Sequence, residues 1–159
     1  MQQTLVLGLG NTIMSDDGVG PRVIERLRDS GRLPVTVSCM DGGTLGLDLL
    51  PYLEGIHRLI IVDAVELAQP PGTTVCLKGD DVPVALETKL SPHQMGMKDL
   101  LAVARLMGQL PEEIILIGVQ PSCLEMGTEL SAVVEAALPI LESMVLEEIS
   151  CSSMPPTFM

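Results

Sequence analysis

Two stretches of the chain are apolar without interruption: Leu5-Val6-Leu7 within Thr4 to Gly8, and Leu59-Ile60-Ile61-Val62 running into Asp63. Runs that lack polar alternation suit strands covered on both faces, as in a parallel sheet. Between them the period changes. From about Val19 to Arg28, Val19, Val23, Ile24 and Leu27 share one stripe while Arg22, Glu25, Arg26 and Asp29 lie largely opposite, which predicts a helix with Pro21 in its first turn. A second strand is predicted over Val35 to Met40, leading into Asp41-Gly42-Gly43-Thr44. Leu45, Leu49, Leu50 and Leu53 then recur at helical spacing as far as Gly55, and the third strand covers Arg58 to Asp63.

Gln69-Pro70-Pro71-Gly72 is a turn signal, followed by a short strand from Thr73 to Leu77. The segment from Gly79 to Leu90 reads as polar and irregular. The next helix has a legible start, with Ser91 as N-cap, Pro92 at the first helical position and Gln94 completing a capping box. It continues through Leu100, Leu101, Ala104 and Met107 to Gly108. A final strand, Ile114 to Gly118, feeds Val119-Gln120-Pro121, and an amphipathic helix from Glu129 to about Ile149 closes the pattern. Strands alternating with helices of this length predict a three-layer α/β/α sandwich with right-handed crossovers.

With 159 residues and no composition shift, the chain reads as a single domain over residues 1–150 with a flexible C-terminal tail over 151–159. Aromatics are scarce, so Leu, Ile, Val, Ala and some of the ten methionines must fill the core. A net charge of −12 repels phosphate backbones and anionic membrane surfaces, and no basic patch offsets it, which argues against a nucleic-acid partner. Cys39, Cys76, Cys123 and Cys151 lack C-x-x-C spacing and lie mostly in apolar segments, so they read as buried thiols. The N-terminus has no charged region ahead of an apolar one. No apolar run reaches the roughly 20 residues of a spanning helix. The expectation is a cytoplasmic protein with no membrane insertion.

The candidate chemistry lies at strand ends. The first strand runs into Gly10-Asn11 and the loop Ser15-Asp16-Asp17-Gly18, and Asp63 ends the third strand. If strand 1 lies between strands 2 and 3, the chain leaves strands 1 and 3 in opposite directions and opens a crevice flanked by Asp17 and Asp63. His93, in the first turn of its helix, feels the positive end of the helix dipole, which disfavours the imidazolium and keeps a lone pair available. Two carboxylates and one neutral imidazole suit Zn, Ni, Mn or Fe rather than Ca or Cu(I). Plainer roles are open to each residue. Asp16 and Asp17 could cap the helix starting near Gly18, Asp63 could accept backbone amides, and His93 could be a surface residue; His57, before the third strand, reads as one.

Gly8-Leu9-Gly10 invites a nucleotide-binding reading, but Ile13 stands where the fingerprint wants a third glycine, and Asp16-Asp17 would repel a pyrophosphate. A serine or cysteine nucleophile lacks its G-x-S-x-G elbow or an evident base.

Five motifs in order, Gly8-Leu9-Gly10-Asn11 with Asp16-Asp17-Gly18-Val19-Gly20, Asp41-Gly42-Gly43-Thr44, Asp63-Ala64, Ser91-Pro92-His93-Gln94 and Gly118-Val119-Gln120-Pro121, resemble those of the hydrogenase maturation endopeptidases. The resemblance runs from the first strand to about Leu146. It implies a mostly parallel, five-stranded twisted sheet between helices. It further implies removal of a C-terminal extension from a nickel-iron hydrogenase large-subunit precursor after nickel insertion. The family pattern assigns metal contact, and with it the catalytic group, to Asp17, Asp63 and His93. Because the family's first-loop acid is Glu or Asp, Asp16 remains a rival ligand. Asp41, Gly42, Gly43 and Thr44 are implied in substrate recognition. The family is often classed with aspartic peptidases, although the paired D-T-G arrangement is absent. The implied nickel is carried by the substrate, with a resident divalent metal in the peptidase as the alternative. A non-catalytic nickel chaperone with the same ligands and a nucleotide-binding module are the other two readings.

Overall fold

A computed structural model describes residues 2–43, 46–87 and 95–151. Four strands, β1 (Gln3–Leu9), β2 (Val37–Gly43), β3 (Ile56–Ala64) and β5 (Glu113–Val119), run parallel, and β4 (Thr74–Lys78) pairs antiparallel with β5 at one edge. The order is β2-β1-β3-β5-β4. The sheet is five-stranded and mostly parallel, with helices on both faces, as the resemblance implied.

The uninterrupted apolar runs resolve into two alternating sets. Val6, Ile60, Val62, Ile115 and Ile117 face α1 (Val19–Ser30) and α4 (Ala132–Ser150). Leu5, Leu7, Leu59, Ile61 and Leu116 face a 3-10 helix (Gly46–Leu53), α2 (Asp81–Glu87) and α3 (Met95–Leu106). A strand that must bury both faces has no place for polar alternation. Glycine brings α1 onto the sheet. A Cβ at Gly20 would stand 2.3 Å from the Leu9 carbonyl oxygen and 2.5 Å from that of Val62, so the first turn of α1 lies over the ends of β1 and β3.

Several element boundaries differ from the sequence expectation. The segment Gly79 to Leu90, expected to be irregular, contains α2, anchored by the buried Val82. The second strand starts later and runs further. Val35 is 94% exposed and the Val37 N–H donates to the Pro34 carbonyl in a turn, while β1 supplies ladder partners as far as Leu9 opposite Gly43. The segment after it is a 3-10 helix from Gly46, with Pro51 removing an N–H that an α-helix would use. The last helix begins at Ala132 rather than Glu129, with Ser131 in an extended N-cap conformation. His57 lies inside β3 rather than before it, half-buried, with Nδ1 3.3 Å from Glu112. None of the four thiols is buried, against expectation: Cys76 and Cys151 are exposed, and Cys39 and Cys123 are intermediate. Thr44, the Ser91-Pro92-His93-Gln94 start of the helix and the tail from Ser152 lie outside the described residues.

At the N-terminal ends of β3 and β5 the buried Arg58 forms a charge network. Its Nε meets Glu113 at 2.8 Å, its Nη2 meets Glu148 at 3.2 Å, and its Nη1 donates to the Glu148 carbonyl at 2.7 Å. Among the described residues, no helix is long and apolar enough to cross a membrane.

Candidate functional site

The sheet order puts β1 beside β3, with the following chain going to β2 under α1 on one side and to β4 and β5 on the other. A crevice opens at such a switch point, beyond the carboxyl ends of the strands. After β1 the chain turns at Gly10, whose φ is 129° and whose Cβ would collide with the Asp17 carbonyl at 1.8 Å. Only glycine fits there. The Gly10 N–H donates to Gly43, which ties this loop to the end of β2. The Asn11 N–H then donates to Asp17 Oδ2 at 2.8 Å, and a 3-10 turn, Ser15–Gly18, carries the acids into α1.

Asp17 is 3% exposed and Asp63 1% exposed. Asp63 Oδ1 accepts the Ala64 N–H at 2.8 Å, and its backbone pairs with Gly118 of β5. Asp63 therefore lies at the end of β3, and Asp17 in the 3-10 turn that follows the β1 loop. The N-cap position of α1 is held by Gly18, which has no side chain to cap it.

Asp16 behaves differently. It is completely buried, and its carboxylate accepts the backbone N–H groups of Ser122, Cys123 and Ser131, at 2.7 to 2.9 Å, together with the Ser131 hydroxyl at 2.8 Å. Three of these four bonds fall on Oδ2 and one on Oδ1. Burying an ion costs several kcal/mol, and hydrogen bonds to a charged group return roughly 1.5–3 kcal/mol each, so a set of four is what makes an uncompensated Asp16 tolerable. These bonds make Asp16 a clamp between the first loop and the β5–α4 loop. A parallel bridge between Met14 and Gly127, and the Ser15 hydroxyl on the Glu125 carbonyl at 2.6 Å, reinforce the clamp.

The Asp41-Gly42-Gly43 turn flanks the crevice on the β2 side. Asp41 Oδ1 accepts the Gly43 N–H at 2.9 Å, and Gly43 has a φ of 49°. A Cβ at Gly42 would press on Leu7, Leu9 and Leu49 at 2.8 to 3.3 Å, so this glycine is required by the core beneath. On the other side, buried Gln120 accepts the Leu67 N–H at 2.6 Å through Oε1, and its backbone exchanges bonds with Gly72 and Thr73, fixing the chain that follows Asp63. This explains one of the motif residues. A glutamine directly after an apolar strand was the available signal. For Asp16 there was none, because its partners lie 106 to 115 positions away.

Among the described residues no three His, Cys, Asp or Glu side chains form a metal-competent group. The two carboxylates at the switch point are there, and the third member of the expected set, His93, lies outside the described residues, as does Thr44. A pair of carboxylates suits a hard or borderline cation, and an imidazole would shift the set toward the borderline metals.

A family model described as hydrogenase maturation protease matches residues 21–148. The chain is similar to the hydrogenase expression/formation protein HupD of Rhodobacter capsulatus, with 46% identity over 125 residues, which is 78% of this chain and 60% of that protein. It is 40% identical over 143 residues to the Hydrogenase 2 maturation protease of Escherichia coli, covering 89% of this chain and 87% of that protein. The chain thus spans less than two thirds of the HupD relative and most of the other. The solved structure of the hydrogenase maturating endopeptidase HybD from E. coli superposes with a TM-score of 0.91 at 37% identity, over 96% of this chain and 94% of that one. With the matched residues running from α1 to the last turn of α4, the chain belongs to the hydrogenase maturation protease family.

Proposed function

We propose that this protein is an endopeptidase that removes the C-terminal extension of a nickel-iron hydrogenase large-subunit precursor once nickel is in place. The observation that carries this reading is the pair of buried carboxylates, Asp17 in the turn after the β1 loop and Asp63 at the end of the adjacent β3, in a chain of this family. A relative sharing most of its length bears the name Hydrogenase 2 maturation protease, which supports the same reaction class.

In this reading nickel is part of the substrate. Held by the immature subunit's cysteines, it takes Asp17, Asp63 and His93 as further ligands and so brings the scissile peptide to the crevice. Cleavage then depends on nickel loading. Hydrolysis requires that a water oxygen attack the peptide carbonyl carbon while a base takes its proton, and that a proton reach the departing amide nitrogen. In this reading a carboxylate of Asp17 or Asp63 holds that proton between the two events. A divalent metal, if resident instead, would polarise the carbonyl and lower the pKa of the attacking water.

The test is to incubate the protein with nickel-loaded and nickel-free precursor and to measure precursor mass. Shortening of the loaded form alone is the expected result. Tight nickel binding with no shortening of either form would identify a carrier instead. Shortening of both forms by metal-containing protein, lost after chelation of the protein, would make the metal resident.

A further inference from the structure

Among the described residues two non-glycine residues hold a left-handed backbone, Ser15 at a φ of 52° and Ala68 at 55°. That region is unfavourable for a residue that carries a Cβ, and it persists only where the surroundings hold it. Ala68 lies in an exposed bend. Ser15 is buried and stands two positions before Asp17, where the first loop turns into its 3-10 helix.

The hold on Ser15 comes from one short segment of the β5–α4 loop. The Ser15 N–H donates to the Gly127 carbonyl at 2.9 Å, its hydroxyl donates to the Glu125 carbonyl at 2.6 Å, and the Gly127 N–H donates to the Ile13 carbonyl at 2.9 Å. The fit is close. A Cβ at Gly127 would stand 2.9 Å from Ser15 Oγ, with the Glu125 carbonyl oxygen next at 4.0 Å, while the φ of Gly127 lies outside the left-handed region. Glycine is needed at 127 to make room for the serine hydroxyl, not for its own backbone angle. At 15 the reverse holds: glycine would take the angle without strain, and serine takes it under strain with its hydroxyl bonded. From this fixed point the chain reaches Asp17, whose N–H donates to the Met14 carbonyl at 3.1 Å and whose Oδ2 accepts the Asn11 N–H at 2.8 Å. The direction in which Ser15 sends the backbone therefore sets where the Asp17 carboxylate stands. The Asp16 clamp ties the same loop down through a side chain, whereas Ser15 governs its main chain.

We propose that Ser15 is a positioning residue for Asp17: its hydroxyl, seated on the Glu125 carbonyl against Gly127, locks the strained turn that fixes the Asp17 carboxylate. The proposal rests on the peptidase reading above and adds to it a residue that touches neither substrate nor metal.

The test compares Ser15→Ala and Gly127→Ala with the wild type by melting temperature, by kcat/KM for nickel-loaded precursor and by hydrogen exchange of the Asn11 amide in NMR. The first change removes the hydroxyl, and the second leaves it but crowds it. Each should lower kcat/KM about tenfold to a hundredfold, because a small displacement of a reacting group costs that much. Each should also speed exchange at Asn11 about tenfold, since Asp17 Oδ2 holds that amide. Arg58→Met, at the opposite end of the sheet, is the control: it should lose more stability and still process precursor normally. Activity that merely follows melting temperature across the three variants would overturn the proposal. So would a kcat/KM within about twofold of the wild type in either folded alanine variant, or unchanged exchange at Asn11. If one alanine variant does not fold, the other decides; if neither folds, Ser15→Gly, which accepts the angle without strain, replaces them with the same expected losses. If the wild type shortens no precursor, the peptidase reading fails on its own. Exchange at Asn11 then judges the lock, faster exchange in the variants supporting it and unchanged exchange refuting it.

Discussion

The two ends of the sheet handle buried charge in opposite ways. At the N-terminal ends of β3 and β5, Arg58 is neutralised by two glutamates from two other elements, and Lys78 adds a third contact at Glu148. At the C-terminal ends, Asp16 is held by amide and hydroxyl groups alone, and two further buried acids stand nearby. The first end is a closed ion network, and it binds elements together. The second gathers three buried acids, and among the described residues no basic side chain forms an ion pair with Asp16. In the proposed reading the paired end serves structure and the acidic end serves chemistry as well.

The largest effect should come from the acids of the chemical end. Asp17→Asn or Asp63→Asn should lower processing at least about a thousandfold with little change in melting temperature, and the double variant should be scarcely worse, because groups acting on one centre are not additive. Clearly additive losses would mean that the two acids do not share a site. Asp16→Asn inactive with Asp17→Asn normal would mean that the clamp and the ligand were assigned the wrong way round.

At the paired end the loss should be in stability instead. Arg58→Met leaves Glu113 and Glu148 without their buried partner and should cost about 3 kcal/mol in urea unfolding. Its folded fraction should process precursor normally, and a proportional drop in kcat would show that the two ends are coupled. Asp16→Asn should cost about 2 kcal/mol, since an amide nitrogen would face backbone donors, and should also slow processing because the loop carrying Asp17 loosens. Loss of stability with unchanged kcat would reduce Asp16 to scaffold.

Gly43→Val tests the turn between these regimes. At a φ of 49° a β-branched residue is strained by about 1–2 kcal/mol, so a lower melting temperature is expected for that reason alone. Gly43→Asn tolerates the angle and separates strain from recognition. If the asparagine variant melts near the wild type and still processes at the normal rate, the turn has no recognition role. The smallest effect concerns Cys76, whose thiol is pushed up from its ordinary value first by burial and then by the nearby Glu148 carboxylate. A thiol favoured neutral in the fold contributes stability below the ordinary thiol range and loses it as pH rises through the raised value. Iodoacetamide at pH 8 should therefore modify Cys76 more slowly than Cys151, and equal rates would contradict the shift.

The central strands and the acids at or beyond their ends were legible because one physical demand, burial on two faces, writes a continuous apolar run and stops it at the carboxyl end. The edge was harder to read. Val35 carries strand propensity but sits in a turn, while Gly42 and Gly43, poor strand formers, belong to β2 because β1 supplies their ladder. The short α2 escaped because its seven residues, Pro83 among them, are too few to show a helical period, although Val82 is buried. Asp16 looked like a twin of Asp17 because adjacent residues share a sequence context. What separates them is the β5–α4 loop, supplied from the far end of the chain.

That clamp also sets an order of events during synthesis. The loop bearing Asp17 is among the first segments to leave the ribosome, yet the donors that hold Asp16 are residues 122, 123 and 131. Until the segment that begins at Ser122, 106 positions further on, has emerged, Asp16 has none of these donors to close on. A nascent chain therefore carries the loop of Asp16 and Asp17 unclamped until the β5–α4 loop is made.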